Sequence, residues 1–287
     1  MTNLSVIIPS RTEKFLNNTI RDVLANATGE IEVIVVLDGY DTPLIDDPRL
    51  RYLRLPKIKE TQKRQGINQA VEMAQGKYIM SLDAHCMIAK GFDEQLIKDH
   101  QPNWVQIPRR HRLDAENWSI QKQIDNRPPI DYEYMMFPFN YHRMGSYPAL
   151  HGFKWDARTK ERMDIPIDET MTFQGSCWFM EKEWFKKNGF MQIEGYSGWG
   201  QESEELGLTT WKNGGKVMTN KNTWYAHLHK GPKHGRMYWM SKDWIKQCNQ
   251  YSYDFWVNKN KDFFISYIEK WWPVPAWPDD WNQQLYA

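Results

Sequence analysis

Within the first 90 residues, three short apolar runs each stop at a polar residue, and amphipathic stretches separate them. Ser5-Val-Ile-Ile-Pro9 is the first. Ile31-Glu-Val-Ile-Val-Val-Leu37 is the second, stopped by Asp38-Gly39, and Tyr78-Ile-Met-Ser-Leu82 is the third, stopped by Asp83. Residues 50–55 read as one more strand. Between them, residues 13–27 carry Phe15, Leu16, Ile20, Val23 and Leu24 at helical spacing, and residues 60–75 carry Ile67, Ala70, Val71 and Ala74 on one face before Gly76. Strands that are apolar throughout are buried on both faces, and strands alternating with helices form parallel neighbours. The expectation is an α/β fold, a mostly parallel sheet flanked by helices. Ligands of such sheets bind beyond the carboxyl ends of the strands. Pro9-Ser10-Arg11, Asp38 and the pair Asp83/His85 all stand there.

Later periodicity is weaker. Residues 101–171 mix prolines, aromatics and charges, as in Asn126-Arg-Pro-Pro-Ile130, and read as long ordered loops with some helix. Residues 172–180 read as a strand, 181–187 and 201–213 as helices, and 216–218 and 223–226 as short strands. The last fifty residues, rich in Trp and Tyr, read as a helical extension. Of 287 residues, 15 are tryptophan, and packing is the first expectation for them, with a stacking surface for sugars or bases as the alternative. The resulting division is 1–235 for the main domain, split into a nucleotide-binding half, 1–100, and an acceptor-binding half, 101–235, followed by the extension 236–287.

Net charge is +1, which excludes a molecule whose whole surface grips polyanions, though Pro108-Arg-Arg-His-Arg112 and residues 230–236 are locally basic. Cys86, Cys177 and Cys248 form no CxxC pair, as in a reducing compartment. The opening MTNLSVIIPS has no basic segment before an apolar one, and no apolar run approaches the roughly 20 residues of a membrane helix. A soluble cytoplasmic protein is expected.

Asp83 and His85 share one side of an extended backbone, because side chains alternate with period two. A carboxylate and a neutral imidazole suit a divalent ion such as Mn²⁺ or Mg²⁺. A turn-capping aspartate beside a loop histidine is the plain alternative. Tyr225-Ala-His227-Leu-His229 offers a third ligand at the end of another strand.

In this order, SVIIPS, VIVVLDG, GINQAVEMAQGKYIMSLDAHC, FQGSCWFMEKEWFKKNGF and GWGQESEELGLTTWKNGGKV resemble glycosyltransferases of the GT-A fold. The likeness covers residues 4–230 and is nearest to family 2 enzymes and the polypeptide N-acetylgalactosaminyltransferases. The latter carry Asp-x-His where Asp-x-Asp is commoner, and a third histidine after their Trp-Gly-x-Glu helix, which matches His227 rather than His229. The resemblance implies a metal-dependent transferase using a nucleotide-sugar, a UDP-sugar above all, with Asp83, His85 and His227 on the metal. It implies that Pro9 and Arg11 line the base pocket and that Asp38 accepts from uracil or ribose. It places Gly175 close to the donor sugar and Trp199 beneath it. Lys63 or Arg64 would reach the diphosphate, and Arg64 is taken as the donor-binding one.

One departure concerns Ser203. Many inverting family 2 enzymes have Glu-Asp in this motif, the aspartate being the general base, and serine cannot take a proton without a base of its own. Either Glu202, Glu204 or Glu205 acts as base, or configuration is retained and Glu202 binds substrate. The Asp-x-His motif and the missing aspartate together favour retention. The acceptor is a hydroxyl of a saccharide or protein. The basic runs keep open a hydroxymethylated base in DNA, and the other class of function on this fold is an inactive carbohydrate- or nucleotide-binding module.

Overall fold

The computed structural model describes residues 2–121, 128–140, 148–196, 199–231 and 233–287. Asn126, Arg127, Gly198 and Pro232, singled out above, lie outside them. The first hundred residues form β1 (Leu4–Ser10), α1 (Leu16–Asn26), β2 (Ile31–Asp38), β3 (Leu50–Leu55), α2 (Lys63–Met73), β4 (Tyr78–Leu82), β5 (Cys86–Ile88) and α3 (Phe92–Lys98). Then come β6 (Trp104–Asp114), β7 (Ser119–Ile120), β8 (Glu133–Met135), β9 (Gly152–Lys154), α4 (Asp156–Glu161), β10 (Ile167–Glu169), β11 (Cys177–Glu181) and α5 (Lys182–Lys187). The chain ends with α6 (Glu202–Lys212), β12 (Lys216–His227), α7 (Lys242–Tyr253), α8 (Lys261–Trp271) and α9 (Trp281–Tyr286).

The main sheet is mixed, in the order β10-β12-β6-β11-β4-β1-β2-β3, with β5 beside β12 and β7 beside β6. Strands β3, β2, β1 and β4 run parallel, and β11 joins antiparallel to β4 and β6. Every residue of β2 is buried, as a strand covered by helices on both faces requires. One apolar core lies under α1 and α3, where Leu16, Ile20, Val23, Phe92 and Leu96 meet alternate residues of β1 and β2. The other lies under α2 and α5, around Ile67, Ala70, Val71 and Phe185. Gly66 lets α2 lie directly on β2: a Cβ there would stand 2.6 Å from Val36 Cγ1.

Three segments differ from the sequence expectation. Residues 104–114, read as part of a loop region, form the eleven-residue strand β6. The two short strands expected after α6 are one strand, β12, whose pairing with β6 shifts register between Asn220 and Trp224. The strand expected over 172–180 starts only at Cys177, which leaves Gln174-Gly175-Ser176 in the loop before it. The tryptophans of the last segment pack. Trp256, Trp271, Trp277 and Trp281 are buried in a third core shared with Met135, Leu150, Met171 and Leu208, whereas Trp239 is 56% exposed. Among the described residues no helix is long and apolar enough to cross a membrane.

Candidate active site

Asp83-Ala84-His85 connects β4 to β5 through a turn, not through extended backbone. The period-two argument therefore does not explain why the two side chains converge. Pairing does. Asp83 N–H donates to Ser176 O at 2.8 Å, and β5 lies antiparallel to the end of β12 with Cys86 opposite His227. Leu228 N–H then donates to His85 O at 3.2 Å. This register puts His227 Nε2 3.1 Å from His85 Nε2 and 3.6 Å from Asp83 Oδ2, which is 4.0 Å from His85 Nε2. Among the described residues, Asp83, His85 and His227 are the group of His, Cys, Asp and Glu able to hold one metal ion. The fit is metric as well as chemical: each separation is shorter than twice a metal–ligand bond of about 2.1 Å, so one ion reaches all three atoms. His229, the alternative, lies outside this group, its ring centroid 5.1 Å from that of His227.

Neighbouring charges prepare the site. Burial opposes ionisation of Asp83, but Lys63 and the two imidazoles outweigh it and hold its carboxyl well below the usual range. Burial, against the pull of Asp83, brings His227 down to about 4, so the ring is neutral at pH 7, the form a metal requires. Lys63 Nζ donates to Asp83 Oδ1 at 3.0 Å. Glu13 Oε2 stands 3.4 Å from His85 Nδ1, behind the ring where ligand-orienting carboxylates sit, and Glu13 Oε1 accepts from Lys230.

These groups line a cavity of about 530 Å³ at the carboxyl ends of the strands. Pro9, Arg11 and Asp38 line one part of it. Asp38 is 5% exposed, and its carboxylate accepts from Arg11 at 3.0 Å, Gln62 Nε2 at 2.8 Å and Gln62 N–H at 2.9 Å. Arg11 also donates to the carbonyls of Ile58, Lys59 and Glu60. The pair thus fixes the loop before α2 while facing the cavity. Gly175 lines the cavity too, where an added Cβ would meet Ser203 at an ordinary 3.6 Å, and Trp199 lies 4.7 Å beneath the Arg236 guanidinium.

Two expected residues lie elsewhere. Arg64 is buried and does not line the cavity. Its guanidinium pairs with Glu205, donates to Gly200 O at 2.9 Å and Gln192 O at 3.2 Å, and lies 3.9 Å from the Tyr196 ring centre. Lys63, one residue earlier, does line the cavity. Glu205 is spent on Arg64 and Gln192 N–H, so it is not positioned as a base. Glu202 and Glu204 do line the cavity. Glu202 accepts from Gly200 N–H at 3.2 Å. Glu204 accepts from Ser203 Oγ at 2.9 Å and Gly152 N–H at 3.3 Å, and burial pushes its carboxyl up to about 7.

Sequence reasoning missed Glu13 and Glu133, which carry no local motif, and gave no role to Gln201 within its Trp-Gly-x-Glu motif; all three acquire meaning only from their partners. The basic runs are largely consumed within the fold. Arg109 pairs with Asp131, Arg110 with Glu133, Lys230 with Glu13 and Lys233 with Glu116. Residues 108–112, moreover, belong to β6 rather than to a loop.

A mixed sheet with a carboxylate and two imidazoles at its strand ends, facing a polar cavity, defines a glycosyltransferase of GT-A architecture. The chain belongs to glycosyl transferase family 2, whose model matches residues 5–189. It is 26% identical over 239 residues to polypeptide N-acetylgalactosaminyltransferase 5 of Caenorhabditis elegans, covering 74% of this chain and 35% of that one. This chain spans between a third and two fifths of the length of the curated relatives it matches. Among solved structures, GalNAc-T7 with UDP, GalNAc and Mn²⁺ superposes with a TM-score of 0.66 at 14% identity, covering 94% of this chain and 56% of that one. TarS 1-349 of S. aureus in complex with UDP-GlcNAc superposes with a TM-score of 0.57 at 14% identity, covering 93% and 72%. Both likenesses are of fold.

Proposed function

We propose that this protein moves a sugar from a UDP-sugar to a hydroxyl acceptor with retention of configuration, using Mn²⁺ or Mg²⁺ held by Asp83, His85 and His227. The convergence of those three ligand atoms carries the reading. The named partners of the superposed structures, UDP with Mn²⁺ and UDP-GlcNAc, support the choice of donor. Pro9, Arg11 and Asp38 would receive the nucleoside, Lys63 the diphosphate, and Gly175, Trp199 and Glu202 the transferred sugar. The bound cation would neutralise the charge that develops on the leaving diphosphate. Residues 1–100 then serve the nucleotide and 101–235 the acceptor, with 236–287 packed as a helical extension.

Retention rests on Ser203: no carboxylate occupies the place of the usual base, and Glu205 is withdrawn into its ion pair. An acceptor saccharide or protein fits better than DNA, because the basic runs are paired internally. Cys86, Cys177 and Cys248 are free and buried, which fits a cytoplasmic setting. The test is UDP release from UDP-GlcNAc, UDP-GalNAc and UDP-glucose with Mn²⁺. Release by the wild type, abolished by chelation and by Asp83→Ala, is expected. Equal release by Asp83→Ala, or none by the wild type with any donor, overturns the reading.

A further inference from the structure

Four consecutive residues at the start of α6, Glu202 to Glu205, are all buried, and their partners differ. Glu205 has Arg64. Glu202 faces Lys63 and accepts from Gly200 N–H. Glu204 has no ion-pair partner among the described residues. Two neutral donors hold it, Ser203 Oγ and Gly152 N–H, one on each carboxylate oxygen. A carboxylate has about four lone-pair sites, more than these two donors and its own backbone N–H fill, and Glu204 lines the cavity. Burial of such a group without a donor is costly.

A second residue makes the same demand independently. Gln201 lines the cavity and is 7% exposed. Its Nε2 donates to Leu150 O at 2.7 Å and to Asn249 Oδ1 at 2.9 Å, which fixes the amide orientation. Its buried Oε1 has no partner. Both residues of the cavity lining therefore present acceptor sites that no described residue fills.

We propose that Glu204 and Gln201 form the acceptor subsite, and that the acceptor is an uncharged saccharide. The chemistry selects the class. Above pH 7 Glu204 is a carboxylate, so it and Gln201 Oε1 both accept, and the ligand must donate. A phosphate group offers only acceptors and a negative charge, and would meet the carboxylates of Glu202, Glu204 and Glu133 in the same cavity. A sugar ring offers neighbouring O–H donors, which can engage two acceptors at once. Glu204 and Gln201 accept from the hydroxyls beside the attacking one and so aim its oxygen at the donor sugar, leaving its own proton free to face the diphosphate. In the retaining transfer the acceptor oxygen bonds to the anomeric carbon. The bond from that carbon to the diphosphate breaks, its electron pair leaves on UDP, and the hydroxyl proton passes to the departing phosphate oxygen. Glu204 remains a carboxylate.

This inference rests on the transferase reading, and the experiment separates the two. Wild type, Glu204→Gln and Ser203→Ala are assayed with UDP-GlcNAc or UDP-GalNAc, Mn²⁺, and three acceptors: a panel of methyl glycosides, a Ser/Thr peptide, and a duplex containing hydroxymethylcytosine. Calorimetry with UDP and Mn²⁺ reports the donor site, and thermal melting reports folding. Transfer to a glycoside is expected. In Glu204→Gln the glycoside KM rises at least tenfold and kcat/KM falls by about a hundredfold, with UDP affinity unchanged. Ser203→Ala shifts KM the same way by less. A Glu204→Gln enzyme with the wild-type glycoside KM overturns the subsite. Transfer to the peptide or duplex but to no glycoside overturns the acceptor class. Failure of the wild type to release UDP or to bind it removes the transferase reading, and this inference with it.

Discussion

Replacing Arg64 by leucine separates a structural cation from a donor-binding one. The guanidinium is 3% exposed and fills four roles: ion pair to Glu205, donor to two backbone carbonyls, and face contact with Tyr196. Leucine keeps much of the volume and removes all four. Glu205 is left buried with one donor, Gln192 N–H at 2.7 Å. Breaking a buried pair from one side costs about 3–5 kcal/mol, a large share of a domain's ~5–15 kcal/mol. Removing both partners deletes the orphaned charge, so Arg64→Leu/Glu205→Leu recovers at least half of the loss, a coupling seen only between contacting residues. Urea unfolding followed by tryptophan fluorescence measures the wild type and both variants, and calorimetry measures UDP with Mn²⁺. The expected result is a large loss of stability in the single variant, partial recovery in the double, and UDP affinity within threefold of wild type. A single variant within about 1 kcal/mol of wild type would refute the argument. So would one of normal stability that binds UDP ten times more weakly, since that is the signature of a phosphate-binding arginine.

Glu204 makes stability depend on pH. Its carboxyl rises from 4.5 to about 7 on folding, so the folded state holds the proton more tightly, and stability falls as pH climbs through that window. Above it the wild type carries a penalty of up to about 3 kcal/mol; Glu204→Gln gains stability over wild type at pH 8 relative to pH 5, and identical urea midpoint differences at both pH values contradict this. Lys63→Met removes a positive charge 3.0 Å from Asp83 Oδ1, so the apoprotein should bind Mn²⁺ about tenfold more tightly by calorimetry; weaker binding refutes competition for that carboxylate. Gly76→Ala would push a Cβ to 2.7 Å from Ser5 N and 2.9 Å from the Leu4 carbonyl carbon, both backbone of β1. A loss of about 2 kcal/mol, read as a melting point lower by about 5 °C, is expected, and an unchanged melting point counts against this contact.

Legibility followed how locally each residue finds its partners. Strand β2 is read correctly from eight residues, because a strand buried on both faces announces itself as an apolar run. Strand β6 is just as internal, between β11 and β12, yet its sequence WVQIPRRHRLD reads as a basic loop. Its charges are cancelled by Asp131 and Glu133, and its buried Gln106 bonds Asn220, Leu96 O and His100. No window along the chain shows those pairings. Lys63 and Arg64 present the same difficulty. Each stands seven residues before a buried position of α2, Ala70 and Val71, so helical phase does not separate them. What separates them is Glu205, 141 residues away, which captures one and leaves the other to Asp83.

The start of α6 shows why counting acids along a sequence misjudges a site. Glu202, Glu204 and Glu205 in the first turn look like the solvated, dipole-favoured face that most helix starts carry. In the fold all three are buried, and burial turns an equivalent set into three different chemistries. Arg64 converts Glu205 into a structural strut, and Glu202 lies within the electrostatic reach of Lys63. Glu204 is the one of the three that no cation among the described residues pairs with. Ser203, by donating to it, orients the carboxylate rather than replacing the base that is missing from its own position. The identity of a functional acid here is thus set by where compensation stops, a property of the three-dimensional charge pattern. A variant that supplied Glu204 with a cation from within the protein, His151→Lys from the same cavity wall, should therefore suppress glycoside transfer while Mn²⁺-dependent UDP binding survives; undiminished transfer in that variant would show that an uncompensated carboxylate is not what the acceptor meets.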